Sequence, residues 1–479
     1  MVDEPKAAGR PAGGSGAAAA GAKGGVGADP SDAAAVSHKP GALERLQARG
    51  FYAQCTDEAR LRKRLDSGPM TFYVGVDPTG ESLHVGHLIP IYALAHLAEF
   101  GHRGIVIVGG GTARIGDPSG KTEMRKMLSV EQINANATAI GAQIQRFLDT
   151  RNVTFTMVDN AEWLAGLNYI EFLRDIGRHF SVNKMLTFES YKKRLEQGLS
   201  FIEFNYQLLQ SYDFLKLYQT RGCTLQIGGD DQWGNIVAGA DRIRRIEGHE
   251  VESFGLTFPL VTRADGKKMG KSEAGAVFLD PQRVTPYDFF QYWRNVPDAD
   301  VRKFLRLYTF LTIEEIDEIM AGIDGADGPS GDAASSDAAS TDAAAINAAK
   351  ERLATEITAL VHSWPEAKKA RDAARALFAG GGGAGGNPDA MPSGELDAAD
   401  LEAGIPVLEL FQRAGLSASK SEARRLVQQG GARINDTKVS DIEAVIDGSW
   451  AAGPGEDDAA SATLILRAGK KRYFRFLVT

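Results

Sequence analysis

The chain has 479 residues, enough for two to four domains that each bury a core of their own. Apolar residues make up 43% of it, and no run of 18 or more apolar residues occurs, so we expect no membrane-spanning segment. The net charge of −8 means that any nucleic acid must be attracted by local basic patches, not by the overall field. Two cysteines far apart, Cys55 and Cys223, exclude a disulfide framework and predict a reducing, cytoplasmic setting.

Composition divides the chain into five parts. Residues 1–41 are rich in Ala, Gly, Pro and Ser and predict a disordered extension. A transit peptide is the alternative, but four acidic residues in this stretch argue against it. We predict a catalytic domain over 42–284, a helical domain over 285–378 with a flexible insertion at about 323–345, a linker over 379–399, and a small α+β module over 400–479.

The second part alternates strands and helices. TFYVGVD, from Thr71, and RGIVIVGGG are continuous apolar runs that predict buried strands, and an amphipathic helix, IPIYALAHLAEF, lies between them. This order predicts a βαβ unit and a doubly wound parallel sheet of Rossmann type, extended by VTFTMVDN and CTLQIGG. Ligands of such sheets bind at the carboxyl ends of the strands. Three polar loops, DPTG, GGGTARIGD and IGGDDQWGN, lie just past strand ends and are expected to converge there.

The first of these loops contains the sequence HVGH. His84 and His87 flank Gly86, which lets a ligand approach the backbone, and imidazoles can donate hydrogen bonds to a phosphate group. Pro90 fits only the first turn of a helix, so we expect the histidines at the amino end of that helix, where its dipole attracts anions. Two surface histidines beside a turn glycine are the alternative.

Polar clusters elsewhere suggest further contacts with a ligand. GDPSGK, at residues 116–121, resembles a phosphate loop but lacks the P-loop spacing, so a tight turn is equally compatible with it. Tyr206, Gln210 and Asp213 fall on one face of a helix, where either a polar ligand or a protein network must satisfy them. The paired Asp230 and Asp231 suggest a metal or a ribose, and we favour the ribose.

A lysine-rich loop follows near residue 268. Lys268 and Lys271 lie in KKMGKS, where mobile ammonium groups can neutralise the charge that develops on phosphates. Taken alone, a solvated lysine turn is the simpler interpretation. The HVGH sequence, which also indicates a polyphosphate, favours a functional role.

The order HVGH, GDPSGK, YQLLQSYD, IGGDDQWGN and KMGKS resembles that of class I aminoacyl-tRNA synthetases, and within them the bacterial tyrosyl-tRNA synthetase family. The resemblance runs from about residue 42 to the C-terminus. It implies a Rossmann-type catalytic domain, an anticodon-binding helical domain, a C-terminal RNA-binding module and a cytoplasmic homodimer. It also implies L-tyrosine, ATP and the tRNA for tyrosine as substrates, with Mg²⁺ carried mainly by the ATP phosphates and no metal site built by the protein.

The resemblance also assigns roles to individual residues. The implied tyrosine-binding residues are Tyr73, Asp117, Tyr206, Gln210, Asp213 and Gln232. Those for ATP or the adenylate are Gly75, Asp77, Gly86, Asp231 and Lys271. Those that stabilise the transition state or hold pyrophosphate are His84, His87, Lys121, Arg125, Lys268, Lys271 and Ser272. In the family the signature corresponding to KMGKS has serine at the position of Gly270, and this departure removes neither lysine.

The C-terminal module carries clustered positive charge without a net charge. Residues 400–479 contain 11 Lys and Arg and 11 Asp and Glu. Lys420, Arg424 and Arg425 nevertheless share one helical stretch, and further basic residues with aromatic neighbours crowd the last strand. This pattern suits RNA bound through its backbone and by stacking, with a solvated helix face as the alternative.

Two other functions remain open at this point. A tryptophan-specific relative would share the fold, but an indole offers no hydroxyl group to Tyr73 and Asp213. A non-catalytic RNA-binding protein on the same scaffold would not need the intact histidines and lysines.

Overall fold

The computed structural model describes residues 40–119, 127–196, 198–264, 266, 269–272, 275–324, 336–379, 393–435, 437–451, 462–469 and 472–479. Elements are numbered within these ranges. The predicted extension over 1–41 lies almost wholly outside them. Among the described residues, no helix has both the length and the apolar character needed to cross a membrane.

A mixed sheet forms the centre of the first half of the chain. Its strands are β1 Gln54–Cys55, β2 Thr71–Val76, β3 Arg103–Val108, β4 Phe155–Asp159, β5 Cys223–Gly229 and β6 Phe254–Phe258. They lie in the order β1-β6-β5-β2-β3-β4. All neighbours pair in parallel except β1, which pairs antiparallel with β6 at the edge. The predicted doubly wound sheet is therefore confirmed, and its strand order reverses between β2 and β5.

Helices cover this sheet. They are α1 Ala42–Arg49, α2 Glu58–Asp66, α3 Leu88–Glu99, α4 Val130–Asp149, α5 Ala161–Leu164, α6 Tyr169–Asp175, α7 Val182–Met185, α8 Glu189–Leu195, α9 Phe201–Arg221 and α10 Trp233–Glu247. The longest, α9, begins with a capping box between Ser200 and Glu203 and ends at Gly222, whose φ of 61° suits only a residue tolerant of the left-handed region. Helix α2 is capped by Asp57, one residue after the expected Thr56.

The predicted helical stretch after residue 285 is divided into separate helices. They are α11 Pro286–Arg294, α12 Val301–Tyr308, α13 Ile313–Asp324, α14 Ser336–Val361 and α15 Trp364–Ala379, and a small hairpin of β7 Lys271–Ser272 and β8 Gly275–Ala276 precedes them. The low-complexity stretch 323–345, predicted as a flexible insertion, is helical at both ends. Only residues 325–335, which lie outside the described residues, separate those ends.

The helices pack on the same core as the sheet. Trp293, Phe304 and Tyr308 are fully buried with the side chains of α3. The Arg49 guanidinium is buried as well, donating to the carbonyls of Thr309 and Leu311 and to Nε2 of His96 on α3. Burial lowers the pKa of Arg49 to about 10. The Arg49 side chain thus connects the C-terminal part of α3 to the segment between α12 and α13.

The C-terminal part is a separate α+β arrangement with its own core. Its elements are β9 Ser393–Leu396, α16 Ala398–Ala403, β10 Ile405–Pro406, α17 Val407–Arg413, α18 Lys420–Gln428, β11 Ala432–Ile434, β12 Thr437–Lys438, β13 Val445–Ile446, β14 Thr463–Ala468 and β15 Arg472–Val478. Strand β9 pairs in parallel with β15. The predicted linker over 379–399 therefore contains a strand, which composition missed because its partner lies at the far end of the sequence.

Candidate active site

A cavity of about 550 Å³ lies at the carboxyl ends of β2 and β5, where the strand order reverses. The three loops predicted to converge all contribute to its wall. Predicted site residues that line it are Tyr73, Gly75, Asp77, His84, His87, Asp117, Tyr206, Gln210, Asp213, Asp231 and Gln232. Helix α9 therefore directs its polar stripe toward this cavity.

One end of the cavity, which we call the buried end, is lined by Tyr73, Asn160 and Asp213, and Trp163 contacts Asp213 there without lining the cavity. The Asp213 carboxylate accepts hydrogen bonds from Trp163 Nε1 at 2.7 Å and from Asn160 Nδ2 at 2.9 Å. Burial raises the pKa of Asp213 to about 7, because two donated hydrogen bonds offset only part of the desolvation. The buried end therefore holds a carboxylate that titrates near neutrality.

Tyr73 shares this end of the cavity. It is 1% exposed, and burial, followed by the nearby Asp213, raises its pKa well above the usual range. Its hydroxyl is buried and has no hydrogen-bond partner among the described residues. A buried polar group without a partner costs about 1–3 kcal/mol, so the buried end is suited to a ligand with a hydroxyl group.

Two more carboxylates lie along the cavity wall, each oriented by protein donors. Asp77 accepts from the Thr112 hydroxyl at 2.7 Å and from the Tyr206 hydroxyl at 2.8 Å. Asp117 accepts from the backbone N–H of Ser119 at 2.9 Å and from Gln232 Nε2 at 2.7 Å. These contacts fix the positions of both negative charges.

The predicted pair Asp230 and Asp231 divides between two roles. Asp230 accepts from the Thr257 hydroxyl at 2.9 Å and from Gln54 Nε2 at 2.7 Å, so it joins the loop to β6 and β1. Asp231 lines the cavity instead, and burial, followed by Asp117, raises its pKa. The sequence alone gave no means of telling the two apart.

HVGH forms the other end of the cavity, which we call the histidine end. Val85–His87 form a 3₁₀ turn and α3 follows from Leu88, so both histidines lie at the amino end of a helix as predicted. The two rings stack with centroids 3.8 Å apart. Nδ1 of His84 accepts from the Gly86 N–H, and Nδ1 of His87 accepts from the His84 N–H.

These two backbone contacts decide the tautomer of each ring. A nitrogen that accepts a hydrogen bond carries no proton, so each neutral imidazole holds its proton on Nε2. Gly86 supports the turn from behind the histidines and does not line the cavity. A Cβ at Gly86 would lie 2.9 Å from the His84 ring, so the required glycine is explained by packing within the turn.

Several predicted residues cannot be placed in the same way. Lys121, Arg125 and Lys268 lie outside the described residues. Lys271 and Ser272 form β7, whose backbone pairs with Gly275 and Ala276; their side chains are not described. Because Ala276 lines the cavity, β7 runs beside the histidine end. Within the described residues, no group of three or more His, Cys, Asp or Glu could hold a metal ion.

Asn160 and Trp163 are site residues that the sequence analysis missed. Asn160 directly follows β4, so the rule that ligands lie at strand ends could have identified it. Its Oδ1 also accepts from the Gly111 N–H at 2.8 Å, which connects the ends of β3 and β4. Trp163 lies one helical turn further on, and nothing in its sequence context distinguishes it from a core tryptophan.

The basic residues predicted to bind RNA lie together on α18, and none of them lines the cavity. Lys420, Arg424 and Arg425 are all exposed. Lys420 forms an ion pair of 3.1 Å with Glu409 of the neighbouring helix α17.

The nucleotide-type fold, the histidine end and the lysine-bearing hairpin together define a class I aminoacyl-tRNA synthetase. The family model described as class I tRNA synthetases (W and Y) matches residues 65–379, and that of the tyrosine–tRNA ligase SYY-like C-terminal domain matches 387–476. The tyrosine–tRNA ligase of Treponema denticola is 58% identical over 438 residues, 91% of this chain and 99% of that protein. The enzyme of Acetivibrio thermocellus is 48% identical over 90% of this chain and 98% of its own length.

A solved structure gives the same result for the fold. A C-terminally truncated mitochondrial tyrosyl-tRNA synthetase of Aspergillus nidulans superposes with a TM-score of 0.60 at 28% identity, covering 71% of this chain and 95% of that one. The chain belongs to the tyrosine–tRNA ligase family.

Proposed function

We propose that the cavity activates L-tyrosine with ATP and then passes the tyrosyl group to the 3′-terminal ribose of its tRNA. The observation that carries this proposal is the buried end, where Tyr73 and Asp213 line the same cavity and the Asp213 charge acts on the Tyr73 hydroxyl. A phenolic hydroxyl can donate to Asp213 and accept from Tyr73. An indole ring has no oxygen that could accept from Tyr73, so the Tyr73 hydroxyl would stay without a partner, which disfavours tryptophan.

The remaining groups are proposed to orient the other parts of the substrates. Asp117, Tyr206 and Gln210 offer oxygen atoms to the α-ammonium of tyrosine, and Gln232 lies near its carboxylate. Gly75, Asp77 and Asp231 are proposed to contact the adenylate, with Asp231 on the ribose. These contacts are proposed to hold the carboxylate of the tyrosine substrate in line with the α-phosphate of ATP. The reaction then occurs within one complex and requires no covalent intermediate with the enzyme.

The histidine end is proposed to act on the phosphates. The tyrosine carboxylate attacks the α-phosphorus of ATP, and pyrophosphate leaves with additional negative charge. With Nδ1 engaged by the backbone, His84 and His87 present Nε2 as their donor, and the helix dipole of α3 adds to their attraction for the anion. Lys121, Arg125, Lys268 and Lys271 are proposed to hold pyrophosphate, with Ser272 beside them.

We propose that Mg²⁺ enters as part of the ATP substrate. Asp77 and Asp117 already accept hydrogen bonds from protein donors. This arrangement suits Mg²⁺ that is bound mainly through the phosphates of ATP better than Mg²⁺ that is bound by protein ligands alone. Both cysteines are free, which suits the proposed cytoplasmic location.

A homodimer is also proposed. Large apolar side chains are exposed along the stretch from α6 to α9, and Ile170 and Phe201 are each 71% exposed. Where exposed apolar side chains form a contiguous patch, they are characteristic of protein–protein interfaces, and we propose that this stretch forms one. Sedimentation equilibrium of the wild-type chain against Ile170→Asp tests this proposal, with a monomeric variant expected.

Two parts of the chain are proposed to bind tRNA. The helices α11–α15 would carry the anticodon contacts, and the C-terminal module would bind through Lys420, Arg424 and Arg425. Replacing these three residues with glutamine is expected to weaken tRNA binding and its salt dependence while leaving tyrosine activation unchanged.

The decisive experiment is ATP–pyrophosphate exchange assayed with each of the twenty amino acids. Stimulation by tyrosine alone is expected, and stimulation by tryptophan alone would overturn the proposal. The double variant His84→Ala with Lys271→Ala serves as the control, because exchange at the wild-type rate in that variant would show that the chemistry occurs elsewhere.

A further inference from the structure

The stretch from Val261 to Ser272, which we call the lysine segment, is held by side chains of the helices that follow it. Its described residues are 261–264, 266 and 269–272. Within it, the N–H of Met269 bonds to the carbonyl of Val261 at 3.3 Å, which closes the segment into a loop. The described contacts place the helices on one side of this loop and HVGH on the other.

Asp300 and Lys303 hold the start of the segment. Asp300 is 3% exposed, and its Oδ2 accepts from the backbone N–H of Ala264 at 2.6 Å. The Lys303 ammonium donates to the carbonyl of Thr262 at 2.5 Å and to Asp300 Oδ1 at 3.3 Å. The buried Asp300 carboxylate thus holds the N–H of Ala264, and the Lys303 ammonium paired with it holds the carbonyl of Thr262.

Tyr292, on α11, holds the other end of the segment. Its hydroxyl accepts from the Gly270 N–H at 3.3 Å and contacts Met269 Sδ at 3.5 Å. Met269 is itself buried in the main core. The residue directly before Lys271 is therefore fixed by a side chain of the helical part.

The opposite side of the segment contacts HVGH. The Gly270 carbonyl accepts from the Val277 N–H at 2.9 Å, and the Val277 carbonyl accepts from the Val85 N–H at 3.1 Å. Gly270 has φ +85°, and a Cβ there would lie 3.0 Å from His84 Nδ1. This glycine lets the segment lie directly against the histidine turn.

We infer that Tyr292 and Asp300 are positioning residues that set the lysine segment at the correct distance from HVGH during tyrosine activation. They act through the lysines and reach no substrate themselves. The inference rests on the proposed function, in which Lys271 helps to hold the departing pyrophosphate. Electrostatic stabilisation of a transition state depends steeply on position, since a displacement of about 1 Å costs about 100-fold in rate.

The test measures tyrosyl-adenylate formation in single-turnover experiments on the full chain. Tyr292→Phe removes one hydroxyl, and Asp300→Ala removes the carboxylate. Each is expected to slow adenylate formation by about 10- to 100-fold. The dissociation constant of tyrosine and the rate of transfer from preformed adenylate to tRNA are expected to stay within about twofold of the wild type, a split that a general loss of folding would not give.

Two controls make the result specific. Tyr287→Phe is the matched control on α11, because the Tyr287 hydroxyl accepts from Gln291 and does not reach the lysine segment; it should leave the rate unchanged. Asp300→Asn keeps an oxygen that can accept from Ala264 and should recover part of the rate lost in Asp300→Ala. If Asp300→Ala does not fold, Tyr292→Phe with its control still decides the matter.

A double-mutant cycle with Lys271→Ala tests the route of the effect. If Tyr292 acts through the lysine, Tyr292→Phe should lose most of its effect in the Lys271→Ala background. An undiminished effect there, or no more effect than Tyr287→Phe, overturns the inference alone. Wild-type adenylate formation by Lys271→Ala would instead overturn the proposed role of the lysine, and the inference with it.

Discussion

The buried end and the histidine end of the cavity meet their ligands in different ways. At the buried end, Asp213 of the long helix α9 is oriented by hydrogen bonds from Asn160, which follows β4, and from Trp163 on α5. At the histidine end, glycine-rich turns present backbone groups and rings, and the lysine segment is fixed from outside by Tyr292 and Asp300. The difference suits one end to recognising a fixed shape and the other to stabilising charge that appears only during reaction.

The largest effect is expected at the buried end. Asp213→Ala removes the acceptor for the phenolic hydroxyl and leaves the donors of Asn160 and Trp163 unpaired as well, and we expect kcat/KM for tyrosine activation to fall by at least about 1,000-fold, since each buried group left unpaired costs about 1–3 kcal/mol. Exchange assays over a range of tyrosine concentrations measure it. A change confined to the KM for ATP would show that the two ends are not separate.

At the histidine end, a substitution should lower the rate of the chemical step and leave tyrosine affinity unchanged. His87→Ala is expected to lower the rate of adenylate formation by about 10²- to 10³-fold while the dissociation constant of tyrosine stays near that of the wild type, because the ring acts on developing charge. Single-turnover kinetics separate the two quantities. Weaker tyrosine binding in this variant would contradict the proposal that the buried end binds tyrosine and the histidine end stabilises developing charge.

Titration of Asp213 gives a third, smaller effect. Because its pKa is raised to about 7, the carboxylate needed by tyrosine is lost as the pH falls below 7, and tyrosine should bind about tenfold more weakly at pH 6 than at pH 8. Equilibrium dialysis of tyrosine across this range measures it. Asp213→Asn serves as the control and should show a flat profile.

The same titration affects the stability of the fold. The folded state binds the Asp213 proton more tightly than the unfolded state, so the favourable contribution is present below about pH 4 and is lost as the pH rises through 7. Asp213→Asn should therefore raise the melting temperature at pH 8 relative to the wild type, with the gap closing toward pH 4. Melting curves at the two pH values test this, and a lower melting temperature at pH 8 would contradict it.

The smallest effect is expected from Trp163→Phe, which keeps an aromatic side chain but removes the N–H that donates to Asp213. Because Asn160 still donates to Asp213, we expect the net loss to be that of an ordinary hydrogen bond, about 0.5–1.5 kcal/mol, so tyrosine affinity at pH 8 should fall by about 2- to 10-fold. The loss should shrink at pH 6, where Asp213 is protonated in both proteins. Phe172→Leu, which alters an apolar contact among the same helices, is the control for packing changes.

Much of this molecule follows from local patterns in the sequence. Continuous apolar runs indicated β2 and β3, the stripe of Tyr206, Gln210 and Asp213 indicated one face of α9, and Pro90 indicated where α3 starts. These predictions succeeded because strand burial, helix periodicity and the geometry of proline depend on neighbouring residues alone.

Other features depended on contacts between distant parts of the chain. Only the folded structure showed that Asp230 binds Thr257 while Asp231 faces the cavity, that Trp163 reaches Asp213, and that β9 joins a strand about 80 residues later. Asp300 gives no sign in the sequence of its bond to Ala264. Residue types and periodicity determine which elements form, whereas the partner of a buried polar group is decided by which elements the tertiary structure brings together.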